Sequence, residues 1–376
     1  MKIRTAYRSG PACVAVETDD RDASRWLAEF VTPWFEPCSA PSSALTVSFT
    51  ASRSLFDSLE RRRAMAAARP ASCFALDSGI VALPGWTEGD ATIVADAELG
   101  SFYRASSRRV EMVARPDFPR ARIALMRVVR ELLMAQRRAL EPLLDLHAAA
   151  FGTSAGAVVL AGPKKAGKTT LLAHFLRCGE NVSLIANDRV LVDAQSESPI
   201  AFGVPVLVSI REGTLELFPE LRRASDEWPV VVHSAEKPAA RKPAVASQAN
   251  FGLTPAQFAE RCGSATAPSG AVVAIVFPEV SATDADWSLV AMTADAALPG
   301  LVDAAYGRRA PGGTKTVFEA VADDCAAEGL PPTAQVARLA SAAPVYRCRV
   351  GLGAYRRDAR ELLQALVGHA AAEHGR

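Results

Sequence analysis

Residues 157–179 read AVVLAGPKKAGKTTLLAHFLRCG, and the fold turns on how this stretch is read. The apolar run Ala157–Ala161 leads into a glycine-bounded turn. After it, Leu171, Leu172, Phe175 and Leu176 fall on one helical face, with Gly179 as a stop. The pattern predicts strand, loop and helix in succession. The loop, Gly162-Pro163-Lys164-Lys165-Ala166-Gly167-Lys168-Thr169, fits G-x-x-x-x-G-K-[ST] at every fixed position. Glycines at 162 and 167 permit backbone angles and close approaches that other residues resist, so successive N–H groups can point inward at phosphate oxygens. A helix beginning near Lys168 adds its unpaired N–H groups and the positive end of its dipole. Lys168 sets a compact cation against β- and γ-phosphates. Thr169 offers a hydroxyl to Mg²⁺, which keeps few protein ligands besides phosphate oxygens. Gly162 to Thr170 is therefore the expected nucleotide contact, with Mg²⁺ as the accompanying metal. No [NT]KxD tetrad is present to select guanine, so ATP is the expected nucleotide.

A metal-bound triphosphate also calls for a carboxylate. The apolar segment VSLIA (182–186) runs into Asn187-Asp188-Arg189, and the C-terminal ends of strands in α/β sheets are where ligands bind. Asp188 is assigned to Mg²⁺, directly or through water. Glu279, which ends AVVAIVFPEV (271–280), is the rival second carboxylate. His147, in LHAAAF (146–151), precedes the loop strand and is either a packing residue or part of the site. Arg211, after PVLVSI (205–210), faces either the nucleotide or solvent.

Around this centre, strand and helix signals alternate from residue 146 to the end, which argues for an α/β layered domain over 146–376. Segment 222–270 is rich in Pro, Ala, Ser and Lys and reads as a loop-rich insertion. PVYRCRVG (344–351) reads as a last strand, followed by a closing amphipathic helix. The first 115 residues read as an α+β accessory domain. Its strand signals are ACVAVET (12–18), LTVSFT (45–50), ATIVAD (91–96) and RVEMVA (109–114), and its helix signals are 22–31 and 54–68. Between the two, 116–145 reads as a connecting helix that opens near Pro119. Its apolar face is Ile123, Met126, Val129 and Leu133, with Leu140 as a further candidate, and a solvated face carries Arg120, Arg127, Arg130, Arg137 and Arg138.

Composition narrows the classes. Of 376 residues, 49% are hydrophobic and 22% charged, which excludes disordered and fibrous chains. The 42 basic and 41 acidic side chains nearly cancel, which argues against nucleic acid held by bulk charge. No run of 18 strongly apolar residues suggests a membrane span. MKIRTAYRSG lacks an apolar core after its charges and does not read as a secretory signal. The seven cysteines are scattered without a C-x-x-C pair, and the five histidines show no metal-ligand spacing. Reduced thiols in a cytoplasmic protein are the expectation.

Taken together, His147 in LHAAAF, GPKKAGKTT (162–170), ANDRV (186–190), FGVP (202–205) and SIREGT (209–214) resemble the HPr kinase/phosphorylase family. That group includes kinases that modify precursor peptides in lasso-peptide gene clusters, and its nucleotide core is similar to that of ATP-dependent phosphoenolpyruvate carboxykinase. The resemblance covers about residues 140–215. It implies a P-loop kinase fold in which His147 lies in the active site. It also implies two adjacent acidic residues after the next strand, the first a base for the acceptor hydroxyl and the second associated with metal. Here the pair is Asn187-Asp188, so only the second carboxylate is kept, and proton acceptance passes to Asp188 or His147. The implied activity is ATP- and Mg²⁺-dependent transfer of the γ-phosphate to a hydroxyl, Ser or Thr of a peptide or small protein, by an enzyme of a group that often forms homo-oligomers. Lys168, His147 and Asp188 are the expected catalytic residues. The competing readings are a non-catalytic ATP-binding sensor or scaffold, and a small-metabolite kinase or ATPase.

Overall fold

Alternation of apolar and polar residues through the first third of the chain closes into a nine-stranded sheet. A computed structural model describes residues 2–76, 79–118, 120–178, 181–222, 251–282, 286–305, 316–322 and 330–374. The chain is mixed α/β and divides into unit 1, Met1–Leu143 with Arg308–Gly329, and unit 2, Leu144–Gly307 with Leu330–Arg376.

The strands of unit 1 are β1 (Ile3–Ser9), β2 (Ala12–Thr18), β3 (Glu36–Pro37), β4 (Leu45–Ala51), β5 (Arg69–Leu76), β6 (Gly79–Glu88), β7 (Ala91–Asp96), β8 (Ser101–Ser106) and β9 (Arg109–Ala114). They lie in the order β3-β1-β2-β4-β9-β8-β7-β6-β5. The β2–β4 and β4–β9 pairs are parallel; α1 (Arg21–Val31) lies in the connection of the first pair, and α2 (Arg53–Met65) with β5 to β8 in that of the second. α1 starts where the Asp20 side chain accepts from Ala23 N, and it buries Leu27, Phe30 and Val31. α2 starts with Ser52 accepting from Leu55 N.

α3 (Ala121–Leu140) departs from the sequence expectation of a connector with a solvated arginine face. It packs on β2 and α1, within unit 1. Arg130 and Arg137 are buried, 5% and 4% exposed. Arg130 Nη2 donates to Glu131 Oε1 at 2.8 Å, and Arg137 Nε donates to Glu141 Oε2 at 2.6 Å. A guanidinium stem is long enough to cover apolar surface while its head meets a carboxylate, so an arginine stripe need not face water. Pro119 lies outside the described residues.

Unit 2 contains β10 (Leu144–Leu146), β11 (Ala148–Thr153), β12 (Gly156–Ala161), α4 (Lys168–Leu176), β13 (Ser183–Ala186), β14 (Val190–Asp193), β15 (Ile200–Gly203), β16 (Val208–Ile210) and α5 (Glu212–Leu217). Then come β17 (Phe251–Leu253), α6 (Pro255–Arg261), β18 (Ala265–Thr266), β19 (Ser269–Ser281), β20 (Trp287–Met292) and α7 (Ala294–Ala304). α8 (Val317–Ala322) follows in the chain but groups with unit 1. α9 (Pro332–Ala342), β21 (Val345–Gly351) and α10 (Arg360–His374) complete unit 2. Ten strands form one mixed sheet, β10-β14-β15-β19-β12-β11-β13-β18, with β21 beside β19 and β20 beside β21.

The core of unit 2 is apolar on both sides of β11 and β12, with Ala148, Ala150, Val159, Ile185, Ile275, Leu301 and Leu339 buried together. α4 adds Phe175, whose ring lies 4.8 Å from that of Phe151. The expected loop-rich insertion at 222–270 is partly regular. β17, α6 and β18 occupy its second half, and Thr254 with Gln257 forms a capping box at the start of α6. Residues 223–250 lie outside the described set, as does Cys325. Among the described residues no helix is long and apolar enough to cross a membrane.

Candidate functional site

One strand gathers the groups that the sequence singles out. β11 runs antiparallel to β12, with Ala148 opposite Ala161, and to β13, with Ala150 opposite Ala186. The start of β11 therefore meets the ends of both neighbours. Gly162 follows β12 at once, Asn187 and Asp188 follow β13, and His147 precedes β11. His147 also follows β10, which pairs with β14 through Leu146 opposite Val190. The chain thus passes from one part of the sheet to the other at this histidine.

The outcome is a direct contact. His147 Nε2 lies 3.1 Å from Asp188 Oδ1, with the two side chains 13% and 45% exposed. The imidazole is mostly enclosed while the carboxylate remains reachable from solvent. The backbone N–H of His147 donates to Ala304 O at 2.7 Å, which fixes the strand break from the other side.

Between β12 and α4 the loop takes three residues with positive φ: Gly162 at 142°, Lys165 at 74° and Gly167 at 95°. The Ala166 N–H donates to Pro163 O at 3.2 Å and closes the turn. A side chain at Gly167 has no room, because a Cβ there would stand 2.4 Å from Val280 Cγ2. Alternation of left- and right-handed backbone turns successive N–H groups toward one concavity. Lys168 is only 7% exposed. Its ammonium donates to Gly162 O at 2.8 Å and Pro163 O at 3.2 Å, which keeps the charge at the loop. Lys164 and Lys165 are exposed, and Thr169 is half-buried. The Thr170 hydroxyl meets Thr214 Oγ1 at 2.9 Å, which links the first turn of α4 to α5.

Other residues named from the sequence stand elsewhere. β19 runs parallel to β12 and on past the loop, with Leu160 opposite Val276. Pro278 lies 3.9 Å from the Cβ position of Gly162, and Val280 approaches that of Gly167. Successive strand residues point to opposite faces, so Glu279 turns away from the loop. It is half-exposed and pairs with Arg349 at 3.3 Å. The rival carboxylate is therefore not at the loop. Arg211 is exposed and precedes α5. His174, on α4, is buried against Phe218 and Tyr355. Burial, with Arg177 adding repulsion, lowers its pKa to about 4.

Sequence reasoning missed two partners. Arg189, 3% exposed, grips Asp145 with two bonds, Nε to Oδ1 at 3.0 Å and Nη2 to Oδ2 at 2.7 Å. Thr214 reaches Thr170 from the SIREGT segment. An acid two residues before His147 and a base one residue after Asp188 were the available signal for the first pair. No protein-family model matches the chain, and no curated protein matches it significantly.

Proposed function

We propose that this chain is an ATP- and Mg²⁺-dependent phosphotransferase with a P-loop nucleotide core like that of HPr kinase and phosphoenolpyruvate carboxykinase. In this reading, residues 1–115 form an accessory domain and the acceptor is a hydroxyl of a peptide or small protein. The observation that carries the reading is the buried Lys168 ammonium held at a loop with left-handed Gly162 and Gly167. A desolvated cation and inward N–H groups fit a polyphosphate and little else. Among the described residues no group of three or more His, Cys, Asp or Glu stands together. Mg²⁺ takes few protein ligands and completes its shell with phosphate oxygens and water. Thr169 and Asp188 are the residues that would hold it.

When bound, the nucleotide and metal supply the phosphoryl group and neutralise its charge. The chain's own residues do the remaining work. Loop amides and Lys168 align the phosphates and stabilise charge on the leaving oxygen. His147 or Asp188 receives the proton of the acceptor hydroxyl in place of the acid missing at Asn187. A loose transition state asks more for alignment than for a strong base.

Isothermal calorimetry with magnesium-ATP tests the binding step, and radiolabelled transfer to a serine-peptide array tests the chemistry. Heat that disappears in Lys168→Ala is the expected result, and the absence of heat in the unmodified protein overturns the reading. A second reading, an ATP sensor without transfer, draws on the buried Asn187, 5% exposed. Heat without labelled product on any offered peptide favours it.

A further inference from the structure

We infer that Asp145 and Arg189 form a positioning pair that holds His147 against Asp188, an inference that rests on the site reading above. The pair is placed for the task. Asp145 lies on β10, two residues before His147, and Arg189 directly follows Asp188 and precedes β14. β10 and β14 pair antiparallel, with Asp145 opposite Leu191 and Leu146 opposite Val190. One step further brings His147 level with Arg189. The bidentate grip thus ties β10 to the residue that precedes β14, two positions from His147 on one side and adjacent to Asp188 on the other.

Its chemistry singles it out. Both side chains are buried, 3% and 6% exposed, and the fork of the guanidinium meets both carboxylate oxygens. Carrying two charges out of water is costly, and an apolar pair of the same volume would often serve stability as well. What a fork–carboxylate pair provides beyond stability is a fixed distance and a fixed angle, since two parallel bonds remove the freedom that one bond leaves. Arg189 is held from its other side too, because its carbonyl accepts from Val204 N at 3.2 Å. Asp145 is already engaged by a guanidinium, which leaves Asp188 as the half-exposed carboxylate at the imidazole.

The test needs neither acceptor nor nucleotide. A carboxylate-bound imidazole N–H gives a downfield proton resonance that exchanges slowly with water. In the full-length protein that resonance is assigned to His147 by its loss in His147→Gln, and it should vanish in Asp188→Asn. The decisive variant is Asp145→Leu with Arg189→Met, which replaces the ion pair with apolar volume. The expected result is a folded protein, with circular dichroism unchanged and a melting temperature within about 4 °C of the parent, from which the His147 resonance is lost. A folded variant that keeps the resonance overturns the inference, as does an unmodified protein that never shows it. Should the double variant not fold, Arg189→Lys keeps the charge but not the fork. Loss of the resonance in a folded Arg189→Lys protein supports the inference. Its retention, or failure of this variant to fold as well, assigns the pair to stability alone and overturns it. Calorimetry with magnesium-ATP on the same samples reports on the nucleotide reading separately, so the two can fail independently.

Discussion

In unit 1 the buried arginines meet carboxylates close by in sequence: Arg130 pairs with the adjacent Glu131, and Arg137 with Glu141 just past the end of α3, while a second nitrogen of Arg137 donates to Ser9 Oγ on β1 at 3.0 Å. In unit 2 Arg189 reaches across 44 positions to Asp145, and Lys168 is held by carbonyl oxygens of the loop that precedes it. Local pairs neutralise a charge wherever the helix happens to be packed. The long-range pair and the loop-bound lysine fix the ends of strands, and those ends carry the candidate chemistry. Burial of charge in unit 1 is thus a matter of packing, and in unit 2 a matter of placement.

The contrast can be broken by substitution. Arg130→Ala removes one partner of a buried carboxylate, Glu131, and is expected to lower stability by about 3 kcal/mol in urea denaturation, with phosphoryl transfer per folded molecule unchanged. Transfer that falls along with stability would erase the distinction between the units. Lys168→Ala should do the reverse. Labelled transfer drops about 10²–10³-fold, roughly 3–4 kcal/mol of transition-state stabilisation, while the melting temperature stays within a few degrees.

A third test uses acid. His174 titrates near 4 when folded against an ordinary 6.5, so below pH 6.5 the unfolded chain takes up the proton first. Its contribution to stability is complete above 6.5, declines as pH falls, and levels off below 4. The slope is about 1.4 kcal/mol per pH unit, or roughly 3 kcal/mol in all. The difference in unfolding free energy between the parent and His174→Phe should trace that window, and a flat difference would refute the burial argument. The smallest effect sharpens the picture of the loop. Lys165→Gly relieves a left-handed residue and should raise stability by about 1 kcal/mol or less, measured by thermal melting.

Much of this architecture was legible in the amino-acid sequence where one rule dominates. The strand, loop and helix around residues 157–176 follow from an apolar run, two glycines and a helical face. ACVAVET and RVEMVA fall on β2 and β9 because apolar residues recur at strand period, Val14 and Val16 in the first and Val110, Met112 and Ala114 in the second. β1 and β8 were not legible. IRTAYRS and SFYRAS mix charges into short runs, and only pairing with neighbours decides their state. The arginines of α3 were misread for a related reason, since a helical wheel shows a charged stripe but not the glutamates that meet it. Glu279, the rival to Asp188, turns away from the loop through the parity of β19, which its closeness in sequence to the strand end does not reveal. The juxtaposition of His147 and Asp188 needed the two registers of β11, which no local pattern encodes. Whether the loop binds nucleotide is decided by the experiments above.

β11 begins with three alanines, Ala148 to Ala150, all fully enclosed. A strand that opens on methyl groups carries its first bulky side chain, Phe151, beyond this end, so here the backbone hydrogen bonds act as the ruler. Such a ruler has graduations and nothing between them, because a slip of one residue turns every side chain to the opposite face. The imidazole, the glycine turn and the acid after β13 are consequently indexed like teeth on meshed gears. Small perturbations elsewhere leave their spacing untouched, and the first displacement they allow is a jump that disengages all three together.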